Sequence, residues 1–243
     1  MCVLACAWQA HPDWQLVMIG NRDELHARSA APLARWEPPS DVIAGRDLEA
    51  GGTWLGISDK GRFAVVTNVA NPDGPQPGMA SRGQLVADLI DGSGIFGQPS
   101  EAQLDAFNPF NVIAIGDGIA NLLTNRPQPK ISPLNPGLYG LSNSLAEENW
   151  PKTDRIKSQL QVWLEAGSGD HSALLDGLRA DDEPQVEPRR ARHSPIFIRN
   201  PIYGTRCSTV VAVDRHGEGQ IIERRYDPDG NALGDTHIGF NWR

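Results

Sequence analysis

The first nine residues, Met1 to Gln9, make an apolar run of strand length without a polar face. In an extended strand successive side chains point to opposite faces. Cys2, Leu4, Cys6 and Trp8 then line one face, and Val3, Ala5 and Ala7 the other. A strand that is apolar on both faces has to be covered on both. It therefore predicts a layered fold with this strand inside a sheet. His11-Pro12-Asp13 reads as a turn, and Leu16 to Gly20 as a second strand pairing back on the first.

The remaining strands also come as hairpins. Trp54 to Ser58 and Arg62 to Asn68 flank Asp59-Lys60-Gly61. Asn111 to Ile115 and Ala120 to Thr124 flank Gly116-Asp117-Gly118, and Ser208 to Asp214 and Gln220 to Tyr226 flank His216-Gly217. Gly137 to Asn143 and Ile196 to Ile198 read as short strands. Helices are expected over Ser81 to Asp91, Ser100 to Phe107, Thr153 to Leu164 and Ala173 to Leu178. The stretch up to Thr53 reads as a long Pro-containing connection, and Asp181 to His193 as a charged loop. Hairpins with helices inserted between them differ from strict βαβ alternation. The expected fold is α+β: two antiparallel sheets face to face with helices outside, in a single domain over residues 1–243.

Charge and composition narrow the function classes. The net charge is −8, from 22 basic and 30 acidic residues, which gives no basic footprint for nucleic acid or an anionic membrane surface. The one basic cluster, Arg189-Arg190-Ala191-Arg192, follows Asp181-Asp182-Glu183 and reads as a solvated loop of mixed charge. Cys2, Cys6 and Cys207 are too few for a disulfide framework and suit a reducing compartment. No apolar run approaches a membrane span, and no basic segment precedes the first strand as in a signal peptide. Leu4-Ala5-Cys6 resembles a lipoprotein cleavage site only superficially, because no Lys or Arg precedes Cys6. A cytoplasmic protein is expected. The histidines, at 11, 26, 171, 193, 216 and 237, lack metal-site spacing, and no Gly-rich phosphate loop is present, so no metal or cofactor is expected.

Cys2 is the residue with the most chemistry. Removing Met1 leaves a cysteine that carries a thiol nucleophile and a free α-amine with a reference pKa of about 7.7–8.0. The bland reading is a small buried residue at a strand start. Asn21-Arg22-Asp23-Glu24 stands at the end of the second strand. Folding that strand back brings its C-terminal end beside Cys2, with Asn21 and Asp23 on one face. A carboxylate and an amide are thereby placed next to the nucleophile.

Met1-Cys2, Asn21-Arg22-Asp23-Glu24, Gly51-Gly52-Thr53-Trp54-Leu55-Gly56, Thr67-Asn68, Ser81-Arg82-Gly83, Tyr139-Gly140-Leu141-Ser142-Asn143 and Tyr203-Gly204-Thr205-Arg206 form an ordered set. This set resembles the NRDE family of transport-and-Golgi-organisation proteins over essentially the whole chain. The resemblance implies the N-terminal-nucleophile hydrolase fold, a four-layer αββα sandwich. The chain is also similar, more distantly, to the bile salt hydrolase and penicillin V acylase group. That similarity implies Cys2 as nucleophile, Asp23 holding its α-amine, Asn68 and Asn143 as oxyanion donors, and Arg206 as a positive charge that lowers the thiol pKa. Arg22 departs from the pattern, because the relatives space Arg and Asp three apart. Next to Asp23 in a strand, Arg22 either faces away from Cys2 or is re-aimed by a bulge.

Each candidate also has a structural reading. Asn68 and Asn143 suit turns after strands, Arg206 suits a salt bridge, and Cys6 and Cys207 suit the core. The expected function is an N-terminal-cysteine amidohydrolase that cleaves a non-peptide C–N amide bond of a small molecule. Family members are linked with haem and lipid handling. The alternative is therefore a non-catalytic haem or acyl-CoA-like lipid carrier on the same fold.

Overall fold

The computed structural model describes residues 2–71, 73–167, 169–179 and 192–242. The chain divides into two compact units, Met1–Ala27 with Pro136–Gly239, and Arg28–Asn135 with Phe240–Arg243. Both are discontinuous in sequence.

The first unit holds a six-stranded sheet. Its strands are β1 (Cys2–His11), β2 (Trp14–Leu25), β10 (Gly137–Leu141), β11 (Tyr203–Asp214), β12 (Glu218–Tyr226) and β13 (Ala232–Asn241), in the order β10-β1-β2-β11-β12-β13. The ladders β10–β1, β1–β2, β2–β11 and β11–β12 are antiparallel. β1 is thus an interior strand, as its apolar faces require. Two helices, α2 (Pro151–Ala166) and α3 (His171–Leu178), complete the unit. Val3, Ala5, Ala7, Val17, Ile19 and Val210 pack against Ile156, Leu160, Trp163, Leu164, Leu174 and Leu178. This is the helix-covered face of the sheet. Pro151 opens α2 where its missing N–H is harmless, and Gly167 ends the helix in the left-handed conformation. The Asp170 carboxylate caps α3 by accepting from Ser172 N at 2.9 Å.

The second unit holds a seven-stranded meander. Its strands are β3 (Ala30–Arg35), β4 (Val42–Asp47), β5 (Leu55–Ser58), β6 (Arg62–Asn68), β7 (Phe110–Gly116), β8 (Ile119–Thr124) and β9 (Lys130–Leu134), paired in sequence order and antiparallel throughout. Helix α1 (Arg82–Asp91) and a 3-10 helix (Glu101–Ala106) cover one face. Leu85, Val86, Leu89 and Ile90 pack there with Phe107, Phe110 and Val112. Ser81 caps α1, with its hydroxyl accepting from Gln84 N at 3.3 Å.

Four strands escape the sequence reading. β3 and β9 contain Pro32 and Pro133 and are the edges of the second sheet, where a missing ladder N–H is tolerated. β4 follows the Pro38-Pro39 pair and was hidden by it. β13 is an edge strand, mostly exposed, and lacks apolar alternation. One expected strand is absent: Ile196 to Ile198 is irregular. The Ile196 carbonyl and the Ile198 N–H are bonded by the side chains of Asn21 and Thr205 instead of a neighbouring strand. The loop expected over Asp181 to His193 and the cluster Arg189-Arg190-Ala191-Arg192 lie almost wholly outside the described residues. Among the described residues no helix is long and apolar enough to cross a membrane.

Candidate active site

The second strand runs to Leu25, so Asn21, Arg22 and Asp23 are strand residues, and all three are buried. Polar side chains survive inside a strand when they find partners. Asn21 stands opposite Val3 and faces the helices. Its Nδ2 donates to the carbonyls of Leu178 and Ile196, both at 2.9 Å, and its Oδ1 accepts from Ser208 Oγ at 2.6 Å. Asn21 therefore ties α3 and the 194–198 strap to the sheet. The amide expected beside the nucleophile is structural.

Arg22, not Asp23, is the register partner of Cys2. Directly opposed residues in an antiparallel pair share a face, so the Arg22 and Cys2 side chains leave the sheet on the same side. The row continues to Cys207 on β11 and Arg225 on β12. The one irregularity here is on β11, where Arg206 is the extra residue of a bulge between Thr205 and Cys207. No bulge in β2 is needed to aim Arg22 at Cys2.

Asp23 leaves the strand on the helix-covered side. Its Oδ1 accepts from Thr205 Oγ1 at 2.7 Å, and the same hydroxyl accepts from Ile198 N at 2.9 Å. The Tyr203 hydroxyl donates to the Asp23 carbonyl at 2.8 Å. Gly204 is required between them, because a Cβ there would come within 2.8 Å of the Ile198 carbonyl. Arg206 donates from Nη1 to the carbonyls of Leu25 and His26, at 2.9 and 3.0 Å, and so braces the chain as it leaves β2.

Asn143 is buried, two residues beyond Leu141, the partner of Leu4. Continuing that register carries Asn143 to the position opposite Cys2. Asn68 ends β6, opposite Phe110, in the second unit; the other candidates belong to the first.

Lys152 was not anticipated. It sits in the first turn of α2, only 1% exposed, and its Nζ donates to Ser194 Oγ at 3.0 Å. The ammonium also lies over the Trp150 ring, 5.6 Å from its centroid. Beside it Thr153 Oγ1 donates to Ser142 Oγ at 3.0 Å, which pins the helix start to the segment carrying Asn143. Lys152 precedes Ile156 and Leu160 by multiples of four, so the helical stripe contained the signal.

The electrostatics follow from burial. Desolvation pushes the Cys2 thiol up, and the Asp23 carboxylate adds to the rise. The N-terminal amine opposes it most, then the Arg22 guanidinium and a hydrogen bond from the Asp23 backbone. The resemblance implied a thiol lowered by Arg206; instead burial raises it, the arginine that acts on the sulfur is Arg22, and Arg206 is held on the Leu25 and His26 carbonyls. Burial alone takes Cys6 to about 12. Cys207 is raised by burial and then by Glu223. Burial raises Asp23 to about 6, against the pull of the N-terminal amine and then of Lys152, Thr205 and Arg22. Lys152 is lowered by burial, with Asp23 and then Cys2 opposing.

This arrangement can support thiol chemistry at a strand terminus, with a guanidinium on one side and, on the other, the Asp23 carboxylate, on which the Lys152 ammonium acts electrostatically. Among the described residues no group of His, Cys, Asp and Glu is arranged to hold a metal ion.

Comparison with known proteins places the chain. It is 32% identical to the Transport and Golgi organization protein 2 homolog of Bos taurus, over 92% of each chain. It is 31% identical to the Homo sapiens homolog over the same shares, and 28% identical to the Drosophila melanogaster protein over 98% of this chain and 97% of that one. Among solved structures it is similar to the Caenorhabditis elegans ortholog of N-acylethanolamine-hydrolyzing acid amidase. The TM-score is 0.51 at 13% identity, covering 86% of this chain and 92% of that one. It is also similar to a C2A variant of the conjugated bile acid hydrolase of Clostridium perfringens. The TM-score there is 0.50 at 8% identity, covering 100% and 97%. At such identities the likeness shows the fold, which is the α+β sandwich class of the N-terminal-nucleophile hydrolases. The family described as Transport and Golgi organisation 2 matches residues 1–228, and the chain belongs to that family.

Proposed function

We propose that the chain, once Met1 is removed, is a cysteine amidohydrolase that cleaves a non-peptide C–N amide bond of a small molecule. The observation that carries this reading is the pairing of Cys2 with Arg22, with Asp23 hydrogen-bonded through its backbone to the Cys2 sulfur. The likeness in fold to two amide-cleaving enzymes supports it.

The resting thiol is neutral, because burial outweighs Arg22. Attack therefore requires a base, and the α-amine of Cys2 takes the thiol proton as sulfur bonds to the substrate carbonyl carbon. Arg22 offsets the charge that develops on sulfur. The Asn143 side-chain amide donates to the oxyanion, a contribution of about 2.7–4 kcal/mol for a well-placed donor. The Cys2 ammonium then returns its proton to the leaving nitrogen as the C–N bond breaks. Water attacks the resulting thioester and releases the acid. Asp23 holds the amine toward the sulfur, and Arg206 braces the end of β2.

The test begins with intact mass, to establish that Cys2 is the first residue. Processed protein is then incubated with N-acylethanolamines and conjugated bile acids, the compounds named for the two similar enzymes. Amine release, and an acyl adduct on Cys2 that Cys2→Ala abolishes, are expected. No release from either class, with Cys2 alkylated by iodoacetamide no faster than a short unstructured peptide, would replace this reading with the haem or lipid carrier.

A further inference from the structure

Lys152 is a buried ammonium for which the reaction above has no use. A lysine is almost never fully buried without a partner that repays its desolvation. Among the described residues its short contact is Ser194 Oγ at 3.0 Å, a neutral hydroxyl. A hydroxyl alone does not balance a buried charge.

The balancing charge is reached through the 194–198 strap. Ser194 holds Lys152 at one end of this strap. Ile196 bonds Asn21 on β2, and Ile198 bonds Thr205, whose hydroxyl holds the Asp23 carboxylate. Lys152 and Asp23 are thus anchored to one short piece of chain on the helix-covered side of β2. They act on each other electrostatically, and Cys2 is the next group within reach of Lys152. The remaining titratable or charged groups facing Asp23 are the N-terminal amine, whose pull on it is the strongest, Cys2 from β1, Arg22 from β2 and Tyr203 from β11. Arg22 leaves the sheet on the opposite face, so the cations that act on the carboxylate from its own side are the N-terminal amine and, after it, Lys152.

We propose that Lys152 is a positioning residue for Asp23, its buried ammonium fixing the charge and direction of the carboxylate that orients the Cys2 α-amine. This rests on the hydrolase reading only in its last step. Lys152 touches no reacting atom. Without it the Asp23 carboxylate would bind its proton more tightly and hold an ammonium beside the sulfur less firmly.

The experiment reads Asp23 and Lys152 directly and needs no substrate. In processed protein with ¹³C-labelled aspartate carboxyls and ¹⁵N-labelled lysine Nζ, Asp23 is assigned by its loss in Asp23→Asn. The expected result is an Asp23 midpoint at least about one pH unit higher in Lys152→Met, a tenfold change in proton affinity, with Lys152→Arg within a few tenths of wild type. The Cys2 α-amine, followed by ¹⁵N, should titrate lower in Lys152→Met than in wild type. Wild-type protein supplies a check that needs no variant to fold: the Lys152 Nζ shift should step at the Asp23 midpoint. Absence of that step, or an Asp23 midpoint unmoved in folded Lys152→Met, overturns the proposal. An Asp23 shift with an unmoved α-amine overturns its last step. If Asp23, Lys152 and the amine respond as stated while no amide is cleaved, the hydrolase reading fails and the Lys152–Asp23 link stands.

Discussion

Cys2 and Arg22 face each other across β1 and β2 as direct register partners, with their side chains on one side of the sheet. Because Asp23 follows Arg22 in an extended strand, it has to leave on the other side. Two neighbouring residues thereby address one cysteine from opposite faces: Arg22 beside the sulfur, Asp23 through its backbone and from the helix side.

The pairing predicts how thiol reactivity depends on Arg22. The guanidinium lowers the Cys2 thiol against the rise that burial imposes. Arg22→Ala should raise it further and slow iodoacetamide alkylation at pH 7 by about three- to tenfold, with Arg22→Lys intermediate. Peptide mass spectrometry after timed labelling reads the rates, with buried Cys6 and Cys207 as internal controls. Equal rates in wild type and Arg22→Ala would show that the charge does not act on the sulfur.

Asp23 makes stability depend on pH with a definite sign. Its carboxyl is raised by burial from 3.8 to about 6 in the folded chain. Between those values the native state holds a proton that the unfolded state has released. The contribution is fully present below about pH 4 and is lost as pH rises through 6, to a total of about 3 kcal/mol. Asp23→Asn cannot titrate. Its stability relative to wild type should rise by about 2 kcal/mol between pH 4 and 6.5, whatever its offset from losing the carboxylate's partners. Urea unfolding across this range measures the difference, and parallel curves would refute the assignment.

Asn21 should matter for folding and not for the thiol. Asn21→Ala leaves the carbonyls of Leu178 and Ile196 and the Ser208 hydroxyl without this partner in a buried place. A loss of about 2–4 kcal/mol is expected. At low temperature, where the variant is folded, Cys2 should alkylate at the wild-type rate. A large change in that rate would give Asn21 a role at the site.

Gly51 and Gly52 look equivalent in sequence and should respond differently. A Cβ on Gly52 would lie 2.2 Å from the Gly83 carbonyl carbon, backbone against backbone. Thr53 N bonds Gly83 O at 3.1 Å at the same crossing, so neither segment can retreat freely. Gly52→Ala should destabilise by more than about 2 kcal/mol. Gly51 meets nothing within 4 Å and is constrained only by its φ of +79°, so Gly51→Ala should lose about 1 kcal/mol. Thermal melts of the two variants decide it, and equal losses would contradict the contact argument.

What was legible in the sequence is what depends on local pattern. The doubly apolar run from Cys2 to Trp8 determined an interior strand, because both of its faces needed cover. The turn at His11-Pro12-Asp13 determined a hairpin, and with it the arrival of the C-terminal end of β2 beside Cys2. Hairpin order determined antiparallel sheets. The ordered motifs carried the family and its fold. Tertiary structure decided which face each residue took. Register is a long-range property, set when a strand pairs, and a slip of one residue exchanges the faces. Hence Arg22 meets Cys2 on one face, while Asn21, expected beside it, holds α3 and the strap on the other. Edge strands such as β9, with its proline, exist only because a neighbour supplies the ladder. The burial of Lys152 was decided in the same way. Its helical phase was written in the chain, but only the strap from Ser194 to Ile198, brought over β2 by packing, places that charge near Asp23.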